Sequence, residues 1–410
     1  YLFGSVPEPF TLYRQIRAVP AGSYITVSQS GVSKPTVWFS VAEIFSHTGE
    51  QEKKIEAAQP SQLFRCHLLD SVKYHLEADV PVGAFLSAGI DSGALVGLMT
   101  DLRRDKRAIT TVTLGFDEFK GSHGDEVPLA AQAAEYYGTK HVIRRISKAE
   151  FLQDVPLFFK AMDQPSIDGM NTWFVSKAAH ELGLKVAVSG LGGDELFGGY
   201  PSYQDIPKWV RTFSLPSRCP YLGDAFRNFF IVLNPPGFNP KTAGLLKYGG
   251  DYPGAYLLKR GLFMPWELSR LLDPDLVREG MSRLRPLDLL QQVLPSDSVT
   301  PFRRVAALES CFYMRNQLLR DADWAGMAHS LEIRVPLVDT ALLRNIAPLL
   351  DGSDEKTWKQ LLGTAPQAPL PNEILSRKKT GFGLPMQAWL KDCTVINNDN
   401  PLQDKRRQDV

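Results

Sequence analysis

The rhythm of apolar and polar positions changes near residue 80. Before it, Ser23-Tyr-Ile-Thr-Val27 alternates and Thr36-Val-Trp-Phe39 is β-prone, with Gly and Pro between them. Residues 1–45 therefore predict short strands. Residues 58–78 repeat apolar positions at helical spacing, and Leu63, Cys66, Leu69 and Val72 mark the predicted face. From residue 80, strand and helix patterns alternate. Val80–Leu86, Ile109–Gly115, His141–Ile146 and Lys185–Ser189 read as strands, the last of these as the final one. Helices are predicted between them at Gly93–Arg104, at Glu126–Tyr137 closed by Gly138, and at about 148–162 and 172–182. Such alternation predicts an α/β fold, a doubly wound parallel sheet covered on both faces. Residues 201–300 read as mostly helical, and 302–350 as holding a long helix that ends near Asp323. Residues 391–410 are polar, a predicted frayed tail.

Composition narrows the partners. The chain has 410 residues, too many for one simple core. Its formal net charge of +1 offers no broad basic field, so nucleic acid is not an expected partner. No apolar run reaches the length of a membrane span. Cys66, Cys219, Cys311 and Cys393 are scattered, without metal-ligand spacing, which fits a reducing cytoplasm better than a disulfide framework.

The candidate chemistry sits in two loops that follow strands. The first is Ser87-Ala88-Gly89-Ile90-Asp91-Ser92-Gly93. A strand ends there, small residues turn the chain and a helix begins, so backbone N–H groups and the helix N-terminus converge on one spot that favours an anion. Asp91 sits badly beside a phosphate unless a cation intervenes, and Mg²⁺ is usually held by one or two carboxylates plus phosphate oxygens. The second loop, Gly190-Leu-Gly-Gly-Asp-Glu-Leu-Phe-Gly-Gly-Tyr200, offers Asp194 as the other carboxylate of that pair. Glu195 reads as a third acid or, more simply, as a solvated loop residue, and the simpler reading is taken. Ligands of open α/β sheets bind beyond the carboxyl ends of the strands, where both loops lie.

Taken together, these motifs resemble a known family. Ser-x-Gly-x-Asp-Ser resembles the pyrophosphate loop of N-type ATP pyrophosphatases. Ser189–Tyr200, Glu332-Ile-Arg-Val-Pro-Leu-Val-Asp339 and Arg377-Lys-Lys-Thr-Gly-Phe382 follow in the order found in glutamine-hydrolysing asparagine synthetases. The resemblance implies an adenine-nucleotide alpha-hydrolase type of fold with mostly helical C-terminal additions. Its expected boundaries are a C-terminal remnant of a glutaminase-like domain at 1–45, an ATP-pyrophosphatase core at 58–200, a helical continuation at 201–390 and a tail at 391–410. It implies ATP and Mg²⁺ as cofactors, a carboxylate acceptor, and ammonia from glutamine, supplied by a domain expected upstream of Tyr1. Matched residue by residue, Ser87, Ala88, Gly89, Asp91, Ser92 and Gly93 would hold the pyrophosphate and metal. Leu86, Leu114, Ser189 and Gly190 would flank adenosine, Asp194 would be the second metal ligand, and Lys379 would face the phosphates. Lys359 is a second phosphate candidate.

Four positions depart from the family pattern. Leu191 stands where these synthetases carry a glutamate, and leucine can neither take a proton nor hold a metal. Ala88 replaces a glycine, Gly363 an arginine, and Trp324-Ala-Gly-Met327 an Arg-x-Ser-Met run. These changes are expected to follow a changed acceptor. A ring-closing synthetase of the β-lactam synthetase or lasso-peptide cyclase kind, and a non-catalytic ATP-binding homologue, stay open. The polar segment Asp163–Trp173 reads equally as a pocket wall or as a plain interhelical loop.

Overall fold

The computed structural model describes residues 1–46, 60–103, 105, 108–233, 240–296, 298–350, 355–377 and 383–390. The chain divides into two compact units. One comprises residues 4–203 and 293–382, the other residues 1–3, 204–292 and 383–410.

The larger unit is built on five parallel strands, β1 (Val82–Phe85), β2 (Thr110–Gly115), β3 (Lys140–Arg145), β4 (Val186–Val188) and β5 (Glu332–Arg334). Their order is β3-β2-β1-β4-β5. Every neighbouring pair is parallel. The fold class is therefore α/β, with the doubly wound sheet that the alternation predicts. Lys185–Ser189 is not the last strand: β5 adds to the edge of β4 from about 140 residues further along. Three residues, only half covered, carry no readable period-2 signal.

β1 and β4 lie at the centre, and Val82, Ala84, Val186, Ala187 and Val188 are all buried. Helix α2 (Ile90–Leu102) follows β1, and every residue from Ser92 to Thr100 is buried. A helix apolar all round belongs between other elements rather than on a surface. Helix α1 (Pro60–His75) packs on it through Phe64, Leu68 and Val72, whereas Cys66 is exposed. The buried i,i+4 row Phe64–Leu68–Val72 shares only Val72 with the predicted i,i+3 row Leu63–Cys66–Leu69–Val72, because both rows are apolar and contact chose between them.

Helix α3 (Val127–Tyr137) ends at Gly138 in the left-handed region, φ 71°. Helices α4 (Lys148–Ala161) and α5 (Met170–Glu181) follow, α4 with Ser147 capping its N-terminus. A continuous helical run covers Pro301–Ala328, with a π-helical stretch at Glu309–Leu318. It ends five residues beyond the predicted Asp323, since Ala322, Trp324 and Ala325 are still buried and no breaker intervenes. Residues 23–37 form four two-residue strands in two antiparallel ladders.

The smaller unit is helical. Tyr252–Arg260 is its best-buried helix, carrying Tyr256, Leu257 and Leu258 inward. Among the described residues no helix is long and apolar enough to cross a membrane.

Candidate active site

The strand order reverses between β1 and β4, and this is where an open α/β sheet leaves a crevice at its carboxyl edge. The loop after β1 carries Asp91, and the loop after β4 leads into the short helix α6 (Gly193–Phe197), which carries Asp194. Two glycines let the loops meet. A Cβ on Gly190 would lie 2.8 Å from the Ser92 backbone N, and one on Gly193 would lie 2.5 Å from the Asp91 Cγ. Because the obstacle at Gly190 is backbone, it cannot step aside as a flexible side chain would. Gly190→Ala should therefore push the two loops apart and destabilise the fold by about 1–3 kcal/mol, read by urea unfolding.

The first loop is internally braced. Ser92 Oγ accepts from the Ser87 backbone N–H at 3.1 Å and lies 2.9 Å from Ser87 Oγ, while Gly89 N–H donates to Ser87 Oγ at 3.2 Å. Ala88, where a glycine was expected, is 1% exposed and lines the cavity beside this loop.

Lys359, from helix α7 (Glu355–Thr364), reaches between the two acids. Its Nζ lies 2.5 Å from Asp91 Oδ1 and 2.7 Å from Asp194 Oδ1. Burial lowers the ammonium's pKa, but Asp194 and Asp91 outweigh it and hold the group above the ordinary lysine value. Chain positions 91, 194 and 359 thus form one ionic constellation at the switch point. Gly199 belongs to it sterically, since a Cβ there would overlap Asp194 Oδ1.

A cavity of about 500 Å³ opens beside this constellation, within the usual size of a small-molecule site. Leu86, Ser87, Ala88, Gly89, Asp91, Ser92, Leu114, Ser189, Gly190, Asp194 and Lys359 all line it. Gly93 does not line it; its N–H is turned into the first helical turn toward Gly89 O. Lys379 lies outside the described residues.

Several lining residues were not singled out from the sequence. Glu195 is not a solvated loop residue but is 1% exposed, with Tyr200 donating to its Oε1 at 2.7 Å. Burial, with Asp194 adding, pushes its carboxyl up to about 7. Glu126 lines the same cavity and is likewise pushed up to about 7 by burial, against the pull of Arg377 and the Ala88 N–H. Arg377 opens the Arg377–Phe382 motif, which was the readable signal for it. Asp168, Asn171 and Thr172 place the 163–173 segment in the cavity wall, so the pocket reading of that segment holds.

The departures from the family pattern acquire physical reasons. Leu191 faces the cavity. Gly363 is buried, and a Cβ there would run into the Leu375 side chain, so a longer side chain would require Leu375 to move. Trp324 packs edge-on against Phe158 at 5.0 Å and donates its indole N–H to Asp321 at 2.9 Å, making it a core residue.

The raised carboxyls set a pH dependence. Glu195 titrates near its ordinary 4.5 when unfolded and near 7 when folded, so between these values the native state holds the extra proton. Stability should fall as pH rises through that window, by up to about 3 kcal/mol for this group. Thermal melts from pH 4.5 to 8 read the slope. Glu195→Gln should reduce it, leaving the share set by Glu126 and Asp321, and an unchanged slope would remove Glu195 as one of its sources.

Similarity to known proteins bears on this geometry. The chain is 29% identical over 398 residues to asparagine synthetase [glutamine-hydrolyzing] 1 of Bacillus subtilis (strain 168), covering 95% of this chain and 59% of that protein. It is 30% identical over 403 residues to a putative asparagine synthetase [glutamine-hydrolyzing] of Mycobacterium tuberculosis (strain ATCC 25618 / H37Rv), covering 94% and 57%. It is also 29% identical over 437 residues to Amidase chyE of Penicillium rubens, covering 93% and 60%. The chain thus spans less than two thirds of the length of these relatives. Residues 63–409 match the Asparagine synthase family model, and with 95% of the chain aligned to such a relative, this chain belongs to the asparagine synthase family.

Proposed function

We propose that this protein is an ATP-dependent amidotransferase of the asparagine synthetase type that activates a carboxylate as its adenylate. The observation that carries the reading is the Asp91–Lys359–Asp194 constellation beside a 500 Å³ cavity at the switch point. A carboxylate oxygen attacks the α phosphorus of ATP, the bond to the bridging oxygen of the β phosphate breaks, and pyrophosphate leaves with the electron pair. The nitrogen of ammonia then attacks the acyl carbon, AMP departs, and the ammonium proton passes to a base.

The first loop cradles phosphate with backbone N–H groups and the Ser87 and Ser92 hydroxyls. Mg²⁺ suits the donor set, since two carboxylates converge and this ion needs only one or two besides phosphate oxygens. Asp91 and Asp194 would hold it, and when bound it would neutralise phosphate charge. Leu86, Leu114, Ser189 and Gly190 would receive the adenosine. Lys359 would stabilise the charge that builds on the phosphoryl oxygens, with Lys379 as a further cation. Residues 1–45 would be the end of a glutaminase-like domain that supplies ammonia.

The protein incubated with ATP, Mg²⁺ and a panel of carboxylic acids should release AMP and pyrophosphate in equal amounts with its own acceptor. ATP binding without pyrophosphate release for any acid would defeat the reading. A ring-closing synthetase is the second reading, favoured by Leu191 in the cavity wall, where a proton acceptor for ammonia was expected. Product formation independent of ammonia and glutamine would select it.

A further inference from the structure

Granted that the cavity adenylates a carboxylate, we propose that its acceptor is a monocarboxylate with a cationic amine in the remainder of the molecule, and not a dicarboxylate. Asp168, Gly169, Tyr313 and Asp321 form one connected part of the cavity lining. Two observations define its polarity.

The first is that Asp168 and Asp321 are built in rather than loosely present. Asp321 is 2% exposed beneath Gly169, whose Cβ would lie 3.0 Å from its Cγ. Its Oδ2 accepts from Ser166 Oγ at 2.8 Å and its Oδ1 from Trp324 Nε1 at 2.9 Å. Those two bonds hold the 166–169 turn in place. Asp168 Oδ1 takes the Gly169 N–H at 3.0 Å, so this carboxylate is fixed in the wall.

The second is the direction of the tyrosine hydroxyls. Tyr313 directs its proton to Asp168 Oδ2 at 3.4 Å, and Tyr200, ring against ring with Tyr313 at 5.9 Å, directs its own to Glu195. The Tyr313 proton goes to Asp168 and the Tyr200 proton to Glu195, so neither is offered to a ligand in the cavity.

Two described lining residues are cations, Lys359 and Arg377, and neither is paired with Asp168. Lys359 lies between Asp91 and Asp194. Arg377 donates to His123 O at 3.0 Å and sits 3.9 Å from Glu126. A second carboxylate at this wall would meet Asp168, which has no ion-pair partner among the described residues, and like charges in a partly dry cavity reject one another strongly. An ammonium there would instead be met by a fixed carboxylate.

The test uses three acids that differ only at the γ position: 2,4-diaminobutyrate, 2-aminobutyrate and aspartate. Their binding to the full chain with ATP and Mg²⁺ is measured by titration calorimetry, and carboxylate-dependent ATP–pyrophosphate exchange is measured in parallel. Diaminobutyrate should bind at least about tenfold tighter than aspartate, with aminobutyrate between them. Asp168→Asn should shrink that ratio to about threefold or less, and Asp168→Lys should invert it. ATP binding measured on the same variant samples verifies that they are folded.

Aspartate binding as tightly as diaminobutyrate, no binding by any of the three, or a ratio indifferent to Asp168 would each overturn the proposal. Exchange activity reports separately on adenylation. The predicted binding order without exchange by any acid would sink the adenylation reading and leave the polarity of the wall standing. Exchange with aspartate as its preferred acid would do the reverse.

Discussion

Asp194→Asn should lower carboxylate-dependent pyrophosphate release by about 10³-fold, and Asp91→Asn should do the same. Each substitution removes one of the two charges that converge at the switch point while keeping the size of the side chain. The effect should fall mainly on turnover, because ATP also contacts the loop backbone and the adenosine pocket. Quenched-flow measurement of pyrophosphate at saturating ATP and Mg²⁺ separates the two. A variant that retains a tenth of the parent rate would show that the pair is not the metal and phosphate anchor. The fold should survive, because Lys359 keeps the other carboxylate as its partner, 2.7 Å from Asp194 or 2.5 Å from Asp91.

Lys359→Met should do more damage to stability and comparable damage to rate. The side chains of Lys359, Asp91 and Asp194 are 14%, 17% and 20% exposed, so the two acids left behind would face each other in a largely dry crevice. Removing one partner of a buried ionic group costs about 3–5 kcal/mol, and the residual exposure here reduces that to about 2–3 kcal/mol. Urea unfolding measures it. Adding Mg²⁺ should restore more stability to this variant than to the parent, since a divalent cation offsets the same pair of charges. Pyrophosphate release should fall by about 10²–10³-fold through loss of a preorganised cation. If Lys359→Met unfolds at the parent's midpoint and turns over normally, the ammonium is a bystander.

The two variants differ in a useful way. Asp194→Asn is expected to be inactive and near normal in stability, and Lys359→Met inactive and unstable. That contrast distinguishes a group whose charge is used in the reaction from one that also holds the crevice together.

The local chemistry of this chain was legible in its residues. Small residues between an apolar strand and a helix favour a tight turn, so the strand–turn–helix passage at Ser87–Gly93 could be read before any contact was known. The alternation of strands and helices likewise announced a parallel sheet, because crossovers between parallel strands need a covering helix. Asp91 and Asp194 could be paired from their shared place after strands.

What the residues did not carry were the contacts between distant segments. The edge strand Glu332–Arg334 depends on pairing with Val186–Val188, and three residues show no period of their own. The buried face of α1 was ambiguous until Phe64 and Leu68 met their neighbours. Glu195 looked like any loop acid, and only its enclosure beside Tyr200 pushes its carboxyl toward neutral pH. Asp321 looked like one charge on a helix, and only the Trp324 indole and the Ser166 hydroxyl turn it into a fixed part of the wall. Lys359 ranked second among the lysines on motif grounds, yet it is the cation that tertiary structure sets between Asp91 and Asp194. Backbone geometry is a property of short segments, and a sequence determines it directly. Burial, pairing of charges and the polarity of a cavity wall arise only when segments far apart in the chain exclude water together, and the tertiary structure alone decided those.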